Sequence, residues 1–196
     1  MDASQFQKAI ALFDAENARD PTSIEMGGVK QSRELFYAKR LTEWVERLAP
    51  DASEVLRLAA RCQHICRWSI PRQSYPMDRA GYLKWRAELK KFHAEKAGEL
   101  LRQAGYDDET IRKVQDLNLK KNFPKDPESQ VIEDALCLVF LEDQFSEFAA
   151  KNEEGKVIDV LQKTWKKMSQ AGRDRALKLS LAQHEKALIE KALQPV

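Results

Sequence analysis

The sequence predicts an all-α fold, a single helical domain over residues 1–196 with about eight helices. Three observations predict it. Apolar residues recur at three- and four-residue spacing along the whole chain. No stretch of four to eight residues carries the β-branched alternation of a strand. The seven glycines and seven prolines fall largely between the periodic runs, where they act as punctuation.

The first helix covers residues 4–17 on a stripe of Phe6, Ile10 and Phe13 and ends at the Asp20-Pro21 turn. A loop with Gly27-Gly28 follows. The second helix spans residues 32–48 and stops at Pro50, and the third, capped by Asp51 or Ser53, carries a periodic run to Trp68. Pro71 and Pro76 then interrupt the pattern. A long helix starts at Asp78 or Arg79 and reaches Ala104, closed by Gly105 at the position that favours left-handed backbone angles. Asp107-Asp108-Glu109 places negative charge at the start of a short helix to Lys121, which complements the helix dipole. Asp126-Pro127-Glu128 opens a helix to Lys151, with proline in the first turn where its missing N–H costs nothing. From Ala135 to Leu141 this helix has no polar residue, so it is the central, buried one. Helices over residues 156–170 and 173–192 finish the chain, with Gly155 and Gly172 as punctuation.

Composition narrows the class. At 43% hydrophobic and 33% charged residues the chain is neither disordered nor collagen-like, and it is long enough to bury a core without a disulfide or a metal. No run approaches the roughly 18 apolar residues of a membrane span. The start, Met1-Asp2-Ala3-Ser4-Gln5, lacks the basic and apolar regions of a signal peptide, so the expected location is the cytoplasm. The three cysteines, Cys62, Cys66 and Cys137, are an odd number and read as reduced, buried thiols.

A formal net charge of +2 hides an asymmetry: nine Lys and Arg against two acids from Arg57 to Lys91, and ten acids against two Lys from Asp126 to Asp159. The two segments either attract one another across the fold or leave the basic one free to line an anion site. From Arg67 to Arg86, four arginines (Arg67, Arg72, Arg79, Arg86) alternate with Trp68, Tyr75, Tyr82 and Trp85. Arginine forks bind phosphate or carboxylate bidentately and flat aromatics stack on bases, so the mix suits a nucleotide, another phosphorylated metabolite or an RNA end. Packing aromatics with arginines snorkelling past them produce the same pattern. No P-loop, dinucleotide, H-E-x-x-H, C-x-x-C or G-x-S-x-G signature occurs.

Helical geometry sorts the histidines. On the third helix His64 lies about 200° from the core residue Cys62, on a stripe with Arg57, Arg61 and Trp68. There it is either a surface residue or one whose arginine neighbours call for an anion or a carboxylate. His93 shares its face with Arg86, Leu89, Ala97 and Leu100 and points largely toward the core, as either a hydrogen-bonded core residue or a ligand. Asp134, with Val131, Leu138, Leu141 and Phe145, points inward as well and needs a cation, a metal or several donors, the candidate partners being His93, His64, a metal held between them or an arginine. Glu133, above Cys137 and Phe140, is a second candidate for burial. His184 has a polar setting and no assigned role.

The series Arg61-Cys62-Gln63-His64-Ile65-Cys66-Arg67-Trp68, Ile70-Pro71-Arg72, Tyr75-Pro76, Gly81-Tyr82, Trp85-Arg86, Phe92-His93-Ala94, Asp126-Pro127-Glu128-Ser129-Gln130, Glu133-Asp134, Cys137 to Glu142, Lys163-Thr164-Trp165 and Lys167-Met168-Ser169 resembles a bacterial and fungal family classed as a domain of unknown function. Some members carry the label glutamyl-tRNA synthetase, for which this chain lacks the length and the nucleotide-binding signature. More distantly, the pattern is similar to the HD-domain metal phosphohydrolases. That resemblance implies an HD-domain-like bundle, with His64 (in Arg61-x-x-His64), His93 and Asp134 as metal ligands and Glu133 as a further carboxylate. Ala94 stands where the paired Asp of that family would be.

Two functional expectations follow. In the first, a divalent metal (Fe, Mn, Zn or Ni) on His64, His93 and Asp134 delivers hydroxide to a phosphoester held by Arg61, Arg67, Arg72, Arg79 and Arg86. In the second, a non-catalytic pocket of these arginines with Trp68 and Tyr75 binds a nucleotide or RNA. Both expect a small anionic or phosphorylated ligand and no membrane, and no sustained heptad demands a coiled-coil oligomer.

Overall fold

The computed structural model describes residues 4–26 and 28–194; Gly27 and the chain ends lie outside them. In chain order the elements are α1 (Gln5–Asn17), strands β1 (Ser23–Met26) and β2 (Val29–Ser32), α2 (Arg33–Leu48), α3 (Glu54–Cys62), α4 (Arg79–Ala104), α5 (Asp108–Leu119), α6 (Pro127–Val139), α7 (Phe145–Ala150), α8 (Glu154–Lys167), α9 (Gln170–Ala176) and α10 (Gln183–Leu193). The protein is all-α apart from the small hairpin.

The helix starts follow the sequence signals. Ser4 and Gln7 form a reciprocal capping box on α1, and Ser53 rather than Asp51 caps α3 by accepting the Leu56 N–H at 3.0 Å. Asp78, Asp107 and Asp126 cap α4, α5 and α6, each accepting an amide N–H at 2.7 Å. Each such cap stabilises its helix by about 1 kcal/mol. Gly105 closes α4 with φ +94°, as expected. Inside the helical bundle α6 packs against α2, α3, α8 and α9, while α4 lies between α1 and α5. The apolar run of α6 is buried as predicted, and Leu138 joins Phe13, Val45, Leu58, Leu101 and Phe145 in a core with no solvent exposure.

Four expectations need correction. The loop after Pro21 is an antiparallel hairpin, in register Ser23↔Ser32 and Ile24↔Gln31. Its strands are four residues long and mostly exposed, so no apolar alternation marks them, and a two-stranded hairpin is marginal by itself. Asp20 anchors its base by accepting the N–H groups of Thr22 at 2.9 Å and Glu34 at 3.0 Å. Helix α3 stops at Cys62, six residues short of Trp68. The helix expected to Lys151 widens into a π turn at Phe140–Gln144 before α7. The last predicted helix is two: Ser169 starts α9 by accepting the Gly172 N–H, and α10 begins only at Gln183. Gly155 and Gly172 therefore lie inside α8 and α9 rather than between helices.

Candidate functional site

The site is built around the turn that ends α3. After Cys62 the chain tightens, and Cys66 takes the left-handed conformation (φ 52°, ψ 35°), which is costly for a residue with a Cβ. Asn17, buried on α1, supports it by accepting the Cys66 N–H at 3.3 Å. His64 consequently lies in a turn, and the helical geometry that set it among Arg57, Arg61 and Trp68 does not apply. It is half-buried, its ring 5.9 Å from that of His93, centroid to centroid.

His93, on α4, is only 3% exposed. Its Nδ1 lies 2.7 Å from the carbonyl oxygen of Ile65. A carbonyl only accepts, so Nδ1 carries the proton and donates it, and Nε2 presents a bare lone pair. That Nε2 is buried and has no partner. Burial pushes the His93 imidazole down to about 4, against the favourable bond to Ile65 and with a small contribution from Arg67. Burial also holds His64 well below its usual range, helped by the charges of Arg67, His93, Lys120 and Arg86. Both rings are therefore neutral at pH 7.

Cations surround this pair. Arg67 stacks on Trp85 at 5.0 Å, and burial, offset by Glu34 and reinforced by Arg86 and Arg33, lowers its pKa. Arg86 sits over Tyr82 at 5.8 Å and donates weakly to its hydroxyl at 3.4 Å. Lys90, one turn further along α4, is half-buried, and burial with the charges of Lys120 and Arg86 lowers its pKa. Among the described residues none of these three forms an ion pair. Nor does any ion pair there join the basic segment 57–91 to the acidic segment 126–159, although Glu133 attracts Lys90 at longer range. Lys90 and Lys120 carry no sequence signature of their own. Lys90 is recognisable only as the residue four after Arg86, and Lys120 reaches the site because it ends α5 in the left-handed conformation (φ 55°).

The other predicted residues are placed elsewhere or do structural work. Arg61 pairs with Asp14 at 3.0 Å. Arg72 stacks 6.0 Å from both Tyr82 and Trp85 but spends its donors on the carbonyls of Tyr75 and Asp78, fixing the loop. Arg79 is exposed at the start of α4. Tyr75 bonds to Glu88 and lines a groove of about 600 Å³ with Pro71, Pro76, Gly81 and Lys84. None of the arginines lines this groove. A Cβ on Gly81 would collide with the Pro76 carbonyl, so glycine is required where this loop meets α4. Trp68 faces a second cavity of about 490 Å³ with Cys66, Phe92 and Glu95. All three cysteines are free and buried, and burial pushes their thiols up to about 12, as expected of inert thiols.

Asp134 is buried as expected, and of the expected ways to satisfy it the structure shows several donors rather than His93, His64 or an arginine. Its carboxylate accepts from the Ser169 N–H at 2.8 Å, the Ser169 hydroxyl at 2.5 Å and the Gln130 amide at 3.0 Å. A Cβ on Gly172 would sit 2.7 Å from its Cγ. Glu133 is buried too, and pairs with Lys120 and, at 3.5 Å, with Lys167. Burial opposes its ionisation, yet the two lysines prevail and hold it below the usual carboxylate range. The structure thus brings His64 and His93 together and gives both carboxylates other partners. Among the described residues no three His, Cys, Asp or Glu side chains form a group that could hold a metal ion, so the pair offers two imidazole donors without the carboxylates.

The family model described as Domain of unknown function (DUF4202) matches residues 7–189. The chain belongs to this family. The match takes in the whole histidine and cation cluster, so the site lies within the DUF4202 domain. No curated protein and no solved structure matches the chain. No helix among the described residues is long and apolar enough to cross a membrane.

Proposed function

We propose that this DUF4202 protein binds a small phosphorylated ligand at the His64–His93 site, with Arg67, Arg86 and Lys90 meeting its phosphate. One observation carries the reading: three cations that form no ion pair among the described residues gather near two neutral imidazoles. Burial and net repulsion lower the pKa of Lys90 despite Glu133, an arrangement that an anion would relieve. Arginine stacked on an aromatic keeps its fork oriented, which lowers the ordering cost of binding. Tyr82, 42% exposed beside Arg86, offers a flat surface next to the phosphate position and so favours a nucleotide among such ligands. A net charge of +2 favours one local pocket over extended RNA binding.

Calorimetric titration with nucleoside phosphates and inorganic phosphate at low salt tests this. Binding should weaken with salt and fall roughly tenfold or more in Arg86→Met, an exposed position that leaves the fold intact. Binding that ignores both salt and Arg86→Met, or no binding at all, would refute it.

The histidine pair supports a second reading, a metal-dependent phosphohydrolase in which the two imidazoles take a divalent Fe, Mn, Zn or Ni ion. Elemental mass spectrometry of the purified protein beside His93→Ala decides it. Near-stoichiometric metal that disappears in the variant is the supporting result, and equal, trace metal in both is the opposing one.

A further inference from the structure

We infer that the ligand brings a hydrogen-bond donor together with its negative charge: the group recognised is a phosphate with an ionisable O–H, whose proton is donated to Nε2 of His93. The inference rests on the phosphate-binding reading and narrows it to a terminal phosphate, excluding diesters and sulfate. Its starting point is the buried atom that the protein leaves without a partner. His93 Nδ1 is committed to Ile65 as a donor, so Nε2 can only accept. An acceptor left unpaired in a buried place is costly, because it has given up water and gained nothing in return.

Gln63 Oε1 and Asn118 Oδ1 are also buried without a partner. Their amides, however, are tied down, that of Gln63 to the Asn118 carbonyl and that of Asn118 to Cys62, whereas the His93 ring lies beside that of His64. The surroundings offer cations. From the turn after α3 come His64 and Arg67, from α4 come Arg86 and Lys90, from the end of α5 Lys120, from α6 Glu133, and from α8 Lys167. The two arginines and Lys90 supply charge for the unprotonated phosphate oxygens. Of the two carboxylates near these cations, Glu133 is taken by Lys120 and Lys167, and Glu34, which attracts Arg67, pairs with Arg33 at 3.6 Å. The acceptor we assign to a phosphate O–H is His93 Nε2. His64, half-buried, lies beside it, with the two ring centroids 5.9 Å apart.

Sulfate has the shape and size of phosphate and no proton to donate at neutral pH, so the pair of ions isolates the O–H. A site with an unpaired buried acceptor rejects the ion that cannot fill it. Titration of the full chain at pH 7 should give inorganic phosphate at least about tenfold tighter than sulfate. Affinity for a phosphomonoester should rise as the pH falls from 8 to 6, because its second pKa is about 6 and only the protonated monoester carries an O–H, whereas inorganic phosphate keeps one throughout this range. In His93→Leu the two ions should bind alike through Arg67, Arg86 and Lys90. In His93→Gln, whose side-chain oxygen still accepts, a preference for phosphate should persist, and circular dichroism checks that both variants fold. Sulfate binding as tightly as phosphate to the unaltered protein overturns the inference and leaves the phosphate-site reading standing. So does a preference that survives intact in a folded His93→Leu. If neither ion binds at low salt, both fail.

Discussion

Two inward-facing groups, Asp134 on α6 and His93 on α4, are equally buried at 3% exposure and differ in one respect: the protein satisfies one and not the other. Asp134 receives three donors, two from Ser169, and its carboxylate closes onto the first turn of α9. It therefore holds α6 and α9 together. His93 gives one nitrogen to Ile65 and keeps the other idle, beside cations that have no ion pairs. A buried polar group with all its partners inside the chain is explained by the fold. At His93 the missing partner is the one we propose a ligand supplies.

The comparison can be broken first at Asp134. Asp134→Ala should cost about 3 kcal/mol in urea unfolding, because it strands the Ser169 N–H and hydroxyl and removes the tie to α9, while phosphate binding by the folded fraction stays unchanged. A loss of binding without a loss of stability would reassign Asp134 to the site.

Acid should expose the cost of His93 at nearly the same scale. Its folded pKa of about 4 lies below the ordinary 6.5, so the unfolded chain takes up a proton first as the pH falls. Stability should be full above about pH 6.5, decline between 6.5 and about 4, and have lost roughly 3 kcal/mol from this group once below both values. His64 acts in the same direction. Urea midpoints measured from pH 7 to 4 check this, and His93→Phe should flatten the decline.

Gly172→Ala is expected to cost about 1–3 kcal/mol, since the added methyl meets the Asp134 carboxyl at 2.7 Å. Gly155→Ala, with open space around it, should be neutral or slightly stabilising by thermal unfolding. The smallest effect sharpens the other half of the contrast: Lys90→Gln should leave stability within about 0.5 kcal/mol or raise it, because it relieves repulsion with Lys120 and Arg86, while weakening phosphate binding by titration.

Much of this architecture was legible residue by residue. Asp78, Asp107, Asp126 and Gly105 mark helix ends through local hydrogen bonding and backbone freedom, which need no knowledge of the rest of the fold. The apolar run of α6 and the inward faces of His93, Asp134 and Glu133 follow from periodicity in the same way. What failed was any inference that carried a local pattern across a break. His64 was assigned to a helix face that ends two residues before it, because nothing in Cys62 to Cys66 announces a non-glycine residue in the left-handed conformation held by Asn17, 49 residues away in the chain. The hairpin was invisible because its strands bury too little to leave a pattern.

The sequence by itself therefore determined the helical class, most of the caps and the set of charged and inward-facing residues from which a site is made, since these depend on short-range geometry. Only the tertiary structure decided the pairings: Arg61 to Asp14, Lys120 to Glu133, Ser169 to Asp134, and His64 to His93. Each joins residues far apart in the chain, and electrostatics and hydrogen bonding act on distance in space. Which cations are spent within the protein and which remain for a ligand is decided at that level.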